Sequence, residues 1–213
     1  MNELTTLLQG YKRFRAGAYA EQRSRFAALR EGQSPQTMVI ACSDSRVDPA
    51  QIFDVGPGEI FVVRNVANLV PPFETDGGRH GVSAALEFAV TQLEVRQILV
   101  LGHGGCGGVK ASLNRSFEGA PMGAGGFIAH WIDLLDEARD KILDHHHGRT
   151  DRASEYALEL ESVKVSLQNL RSFPCIRQRE AEGRLQLTGA YFAIADGILH
   201  ILDEETQSFH PQS

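Results

Sequence analysis

Short apolar runs alternate with longer amphipathic stretches along most of this chain. Three runs, at residues 38–42, 59–64 and 97–101, are bounded by turn residues or polar segments, as is typical of buried strands. Between the second and third runs, apolar residues recur at helical spacing from Val82 to Leu93. This order of elements predicts an α/β fold with a mainly parallel sheet and helices on both faces.

The pattern divides residues 1–213 into four segments of one predicted domain, because a chain of this length can bury a core of its own. The segments are an N-terminal helical arm (1–30), a core with the candidate site (37–113), a helical region (127–171) and a C-terminal β unit (185–203). In the last segment, Asp196 and Gly197 predict a hairpin turn between antiparallel strands. We therefore expect a central sheet of about four mainly parallel strands plus this antiparallel unit.

Composition argues against two classes of partner. Twenty-one Lys and Arg against 27 Asp and Glu give a net charge of −6, which disfavours an extended surface for nucleic acid or anionic membrane. No apolar run approaches the ~18 residues of a membrane span, and the N-terminus has no signal-peptide core, so we expect a cytoplasmic protein. Its 3 cysteines cannot form a complete set of disulfides, and reduced thiols are available for metal binding or catalysis.

Three potential ligands of a soft metal follow predicted strands. Cys42 ends the first strand, and His103 and Cys106 flank the end of the third. If these strands are neighbours, their carboxyl ends meet at the sheet edge where open α/β proteins bind ligands. Cys106 would also begin a helix, whose dipole favours the thiolate. Two thiolates and one imidazole suit Zn²⁺ and leave a fourth tetrahedral position for water, which is the pattern of a catalytic site.

Asp44 and Arg46 follow Cys42 closely and form a candidate catalytic pair. A guanidinium can hold a carboxylate in a bidentate fork and keep it ionised. One carboxylate oxygen would then remain to accept a hydrogen bond from the nucleophilic water. Alternatively, Asp44 released from Arg46 could bind the metal itself and close the site. The sequence leaves both states open.

In these residues the chain resembles the β-class carbonic anhydrases. The matching blocks are residues 41–47, 57–59, 64–68 and 102–108, in the order usual for that family. The resemblance implies that Cys42, His103 and Cys106 are zinc ligands and that Asp44 with Arg46 is the catalytic dyad. It also implies a set of residues that contact substrate, namely Gln33, Phe61, Val66, Phe88 and Gly107.

The same resemblance implies an activity and an assembly. The activity is the reversible hydration of carbon dioxide to bicarbonate and a proton, with Zn²⁺ as cofactor. The assembly is a homodimer or a larger even-numbered oligomer, in which the N-terminal helices extend to a partner subunit. Val39 stands where the bicarbonate-inhibited bacterial branch carries Trp, which favours the plant-like branch without allosteric control and an open site. Phe88 stands where Tyr is frequent in the family, so a hydrogen bond near the substrate would be missing.

Three points stay open. Hydrolases of carbonyl sulfide or carbon disulfide resemble this family and could use the same zinc site. Residues 102–107 also fit the G-x-G-x-x-G pattern of a dinucleotide-binding module, although that pattern should follow the first strand of a βαβ unit and lead to a second strand. Here a loop and a long helix follow instead. The proton carrier is either His80 or a residue of the run 145–147.

Overall fold

A computed structural model of the chain describes residues 2–76, 78–119 and 126–212. The strands are β1 (Thr37–Cys42), β2 (Ile60–Asn65), β3 (Gln97–His103), β4 (Gln186–Ala193), β5 (Ile198–Asp203) and β6 (Ser208–Pro211). The helices are α1 (Glu3–Ala16), α2 (Ala18–Glu21), α3 (Arg23–Leu29), α4 (Pro49–Ile52), α5 (Gly81–Thr91), α6 (Gly107–Leu113), α7 (Gly126–Ile132), α8 (Asp136–His145), α9 (Arg152–Leu170) and α10 (Pro174–Ala181).

The strands of the described residues form one sheet in the order β2-β1-β3-β4-β5-β6. The first four of these are parallel neighbours, and β5 and β6 are antiparallel. The predicted fold class is confirmed, including the C-terminal antiparallel unit. That unit extends past its predicted end at residue 203, because Leu202 of β5 pairs with Phe209 of β6. Strand β6 has four residues and ends at Pro211, a residue type disfavoured in strands, so its sequence gives a weak strand signal.

Alternate residues of β1 are buried on opposite faces of the sheet. Met38 and Ile40 pack in a cluster with apolar residues of α5, α9 and α10. Val39 and Ala41 pack in a second cluster, against which Ile52 of α4 is placed. The strand is therefore apolar on both faces, which explains its continuous apolar run.

The first part of the predicted helical region (127–171) is divided into α7 and α8. The turn Asp133–Leu135 is a 3₁₀ helix between α7 and α8. Ile132, Leu135 and Ala138 are buried at successive intervals of three residues. This interval matches the 3.0 residues per turn of a 3₁₀ helix, so the tighter turn keeps all three side chains on the core side.

The N-terminal helices lie apart from the buried core. Helix α1 ends at Ala16 with Gly17 as its C-cap residue, and none of its residues is buried. Its exposed apolar side chains are Leu4, Leu7, Leu8, Tyr11 and Phe14. Helix α3 is attached to the amino end of β2, since Arg25 donates to Pro57 O and pairs with Glu59. Among all the described residues, no helix combines the length and the apolar character that crossing a membrane requires.

Candidate metal centre

Cys42, His103 and Cys106 meet at the carboxyl edge of the sheet. Cys42 ends β1, His103 ends β3 and Cys106 is the N-cap residue of α6. Their ends lie side by side because β1 and β3 are parallel neighbours. The two sulfur atoms are 3.9 Å apart, and the ligand atoms of the three buried residues all lie within 4.8 Å of one another. The predicted grouping of these residues is therefore present.

His103 carries the observation that favours a metal. Its Nδ1 lies 3.1 Å from the carbonyl oxygen of Gly104, which assigns the ring proton to Nδ1 and leaves Nε2 with a free lone pair. Nε2 is buried and has no hydrogen-bond partner among the described residues. A buried polar atom without a partner calls for an explanation, and an imidazole whose other nitrogen donates to a carbonyl is the usual form of a metal ligand. Together with two thiols, this donor set fits Zn²⁺.

The two thiols affect each other strongly. The hydrogen bond from the Cys106 thiol lowers the pKa of Cys42 to about 4, with burial opposing and His103 adding to the effect. The same hydrogen bond and burial raise the pKa of Cys106. The pair thus holds one negative charge readily, whereas a second thiolate needs a cation beside it. A divalent metal supplies that cation.

Asp44 is held by Arg46 and lies outside the group of three ligands. The Arg46 guanidinium donates from Nε to Oδ1 at 2.9 Å and from Nη2 to Oδ2 at 2.7 Å. These hydrogen bonds keep the pKa of Asp44 well below its usual range. Of the two states that the sequence left open, the structure has the one in which Asp44 binds Arg46.

Arg64 positions the loop that carries this pair. Its Nε donates to Cys42 O at 2.9 Å and its Nη2 donates to Asp44 O at 2.6 Å. Its Nη1 pairs with Asp48 at 2.9 Å. Arg64 belongs to the family block 64–68, and the parallel register that places it beside Ala41 brings it to this loop.

Two of the predicted substrate residues lie at the site. Val66 packs in the apolar cluster that contains Cys42 and Cys106. Gly107 directly follows Cys106 and is exposed at the first position of α6. Its backbone N–H is among those that a helix leaves without an intrahelical acceptor, so it can bind a ligand.

The other three predicted substrate residues lie elsewhere in this chain. Phe61 pairs with Met38 and Cys42 pairs with Asn65. Because Phe61 is thus four positions from the level of Cys42, the two are about 13 Å apart along the strands. The Phe88 ring packs against Phe61, with ring centroids 6.0 Å apart. Gln33 is exposed and lines a cavity with Leu29 and Gly58, before the amino ends of β1 and β2. One copy of the chain therefore does not bring these three side chains to the ligands.

Backbone N–H groups of the loop after β3 donate hydrogen bonds to a side chain of the protein itself. The N–H groups of Gly105 and Cys106 donate to Oε1 of Glu159 at 2.6 and 3.3 Å. In a dinucleotide-binding module, the amides of the glycine-rich loop would face a pyrophosphate. Here a carboxylate of the chain itself takes that place, which argues against the dinucleotide alternative. Glu159 lies within a long helical pattern, and nothing in the sequence indicated this contact.

The candidate proton carriers line two different cavities. His80 forms a hydrogen bond with Asp76, and both lie with Glu74 in a second, largely exposed group of potential ligands. His80 also lines a cavity of about 810 Å³ together with Val66. His145 is the last residue of α8, and together with His146 it lines a different cavity.

Comparisons with known proteins agree with this geometry. A family model described as carbonic anhydrase matches residues 37–199. A carbonic anhydrase of Synechococcus elongatus is 35% identical over 194 residues, which cover 90% of this chain and 68% of the relative. Beta carbonic anhydrase 3 of Arabidopsis thaliana is 35% identical over 198 residues, which cover 92% of this chain and 76% of the relative.

Solved structures give the same result. The β-carbonic anhydrase CcaA superposes with a TM-score of 0.90 at 32% identity, covering 99% of this chain and 100% of the other. A structure from a study of two tetrameric β-carbonic anhydrases of Sordaria macrospora superposes with a TM-score of 0.82 at 28% identity, covering 95% and 98%. From its sequence, its fold and the place of its cysteines and histidine, the chain belongs to the carbonic anhydrase family and, within it, to the β class.

Proposed function

We propose that this protein catalyses the reversible hydration of carbon dioxide to bicarbonate and a proton, with zinc held by Cys42, His103 and Cys106. The observation that carries the proposal is the buried Nε2 of His103, which has no hydrogen-bond partner among the described residues. In addition, the ligand atoms of His103 and of both cysteines lie within 4.8 Å of one another. Bound zinc lowers the pKa of water and so supplies hydroxide at neutral pH, as it does in carbonic anhydrases with three histidine ligands.

Asp44 and Arg46 orient the nucleophilic water. Arg46 keeps Asp44 ionised, and the remaining lone pairs of the carboxylate can accept a hydrogen bond from the nucleophile. This contact directs a lone pair of the nucleophile towards carbon dioxide. Val66 supplies an apolar wall that suits an uncharged substrate, and the N–H of Gly107 can donate to an oxygen of bicarbonate.

The active assembly is a homodimer or a larger even-numbered oligomer. Gln33, Phe61 and Phe88 contact substrate in this proposal, and because they lie far from the ligands of their own chain, a second copy supplies them. The apolar side chains exposed along α1 support an assembly in which the N-terminal helices cover a partner. Light scattering of the purified chain tests this part of the proposal, and a monomer that retains full activity contradicts it.

The protein acts in the cytoplasm and belongs to the plant-like branch in this proposal. Its cysteines are all free, including Cys175, which suits a reducing compartment. The Asp44–Arg46 pair supports an enzyme without allosteric closure by bicarbonate. We expect added bicarbonate to inhibit the enzyme only as a reaction product and not by an allosteric effect.

The experiment for the central proposal measures zinc content and substrate turnover on the same sample. We expect a fixed molar ratio of zinc to protein. We also expect the rate of carbon dioxide hydration to fall when a chelator removes zinc and to recover when zinc is restored. Carbonyl sulfide serves as the comparison substrate. Preferred turnover of carbonyl sulfide would favour the hydrolase alternative. Absence of zinc from the purified protein would contradict the proposal.

A further inference from the structure

Glu159 of α9 is a fully buried carboxylate that the proposed mechanism does not use. A buried charge is costly unless hydrogen bonds compensate it. Its two oxygens accept five hydrogen bonds, from Gly105 N (2.6 Å), Cys106 N (3.3 Å), Arg152 Nη1 (2.7 Å), Arg152 Nη2 (3.1 Å) and Tyr191 OH (2.9 Å). Two of these donors belong to the loop that joins the ligands His103 and Cys106.

The shape of that loop depends on one left-handed residue. Gly105 has a φ of 65°, a conformation that glycine adopts without strain. A left-handed residue in a turn directs successive backbone N–H groups towards the same point, which makes a cradle for an anion. The Glu159 Oε1 atom occupies that cradle, and one of the two N–H groups that it binds is that of the ligand Cys106.

The carboxylate is itself fixed from the other side. Arg152 binds both of its oxygens, and Tyr191 of β4 donates to Oε2. The hydrogen bond to Glu159 raises the pKa of Arg152, and burial followed by the nearby Glu159 charge raises the pKa of Tyr191. Both groups therefore remain protonated donors at neutral pH. They leave Glu159 little freedom to move away from the loop.

The same loop residue connects Glu159 with the catalytic pair. The carbonyl oxygen of Gly105 accepts a hydrogen bond from Nη2 of Arg46 at 3.0 Å. That nitrogen also binds Oδ2 of Asp44. Gly105 is thus held by Glu159 at its N–H and holds Arg46 at its carbonyl, so a displacement of the loop would displace both Cys106 and Arg46.

We propose that Glu159 is a positioning residue that fixes the loop between His103 and Cys106 in the shape that binds zinc and, through Gly105, supports the Asp44–Arg46 pair. This inference depends on the proposed zinc site. It assigns to Glu159 a role in metal retention and in the coordination geometry, and no contact with substrate.

The test compares Glu159→Gln with the matched control Glu155→Gln. Glu155 lies one turn earlier on α9 and also pairs with Arg152, at 3.4 Å, but its described contacts do not include the loop. In Glu159→Gln, the neutral amide is a weaker acceptor for the loop amides, and its NH₂ group faces the donors of Arg152 and Tyr191. We expect zinc transfer to a chromophoric chelator to accelerate about 10–100-fold, the usual effect of losing a partner behind the ligands. We expect the control to match the parent.

A second measurement separates positioning from simple stability. Cobalt replaces zinc in parent and variants, and its visible absorption bands report the ligand geometry. We expect shifted bands in Glu159→Gln at temperatures well below its unfolding transition, and parent bands in Glu155→Gln. Parent metal release and parent bands in Glu159→Gln would overturn the inference while leaving the proposed function intact. A parent chain that holds no zinc would overturn both.

If Glu159→Gln does not fold, Tyr191→Phe replaces it. This change removes one donor to Oε2 and leaves both loop amides in place. We expect an acceleration of zinc release in the same direction, smaller than 10-fold, with a smaller shift of the cobalt bands. Metal release and bands identical to the parent in a folded Tyr191→Phe variant would then overturn the inference.

Discussion

Arg46 donates three hydrogen bonds to Asp44, two from its guanidinium and one from its own backbone N–H at 2.9 Å. Because two of the donors belong to a rigid guanidinium and the third to the backbone, the carboxylate has a defined direction as well as a stable charge. The fork keeps Asp44 apart from Cys42, His103 and Cys106, so a metal held by these three residues would have a position left for water.

Asp44→Asn should lower kcat/KM for carbon dioxide hydration by about 100-fold or more, because the amide presents a weaker acceptor to the nucleophile and breaks the fork with Arg46. Zinc content should stay at the parent level, since Asp44 lies outside the ligand group. Stopped-flow hydration assays with metal analysis check both. Asp54→Asn is the control, since Asp54 is exposed and its φ of 47° suits Asn. An unchanged rate in Asp44→Asn would remove the orienting role.

The contribution of the fork to stability should be constant near neutral pH. Arg46 holds the pKa of Asp44 below its ordinary value of 3.8, so the stabilisation is complete above that value and is lost as the pH falls through the lower pKa of the folded state. Urea midpoints of the parent and of Arg46→Gln should therefore differ by the same amount from about pH 8 to pH 5. The difference between the two urea midpoints should shrink only as the pH falls towards 3.8, the ordinary pKa of an aspartate. A difference that already narrows between pH 8 and pH 6 would contradict the assignment.

Cys106→Ser should abolish zinc retention and activity. A serine hydroxyl ionises far less readily than a thiol, and a metal ligand must be deprotonated. Cys175→Ser is the matched control, because Cys175 lies half-buried near α5 and apart from the ligand group. Metal analysis after dialysis against a weak chelator distinguishes the two variants. Zinc bound at the parent level in Cys106→Ser would show that the ligand assignment is wrong.

Two adjacent glycines should differ in their tolerance of alanine. A Cβ at Gly108 would lie 2.5 Å from Cγ1 of Val66, so Gly108→Ala must displace the wall beside the ligands and should lower the free energy of unfolding by about 1–3 kcal/mol. A Cβ at Gly107 meets open space, so Gly107→Ala should change stability by no more than about 0.5 kcal/mol. Thermal and urea unfolding of both zinc-loaded variants measure the difference. Equal free energies of unfolding for the two variants would mean that Val66 can move aside without destabilising the protein.

The pattern along the chain determined the strands and the chemistry of the site. Continuous apolar runs predicted β1 to β3, and ligands placed at the ends of β1 and β3 meet because parallel neighbours end at the same edge. Asp44 and Arg46 were also accessible to sequence analysis, since residues two apart in one loop can meet without knowledge of the fold.

Long-range contacts decided the rest. Glu159 reaches the ligand loop from 53 residues away, and Arg64 reaches Cys42 O from 22 residues away, so no local spacing indicates either contact. The strand register places Phe61 away from the ligands of its own chain, and Phe88 of α5 packs against Phe61. Periodicity records which side of an element is buried, whereas the partner that a buried polar group finds depends on how distant elements pack. For this protein, the sequence determined the candidate ligands, and the tertiary structure decided which side chains hold them in place.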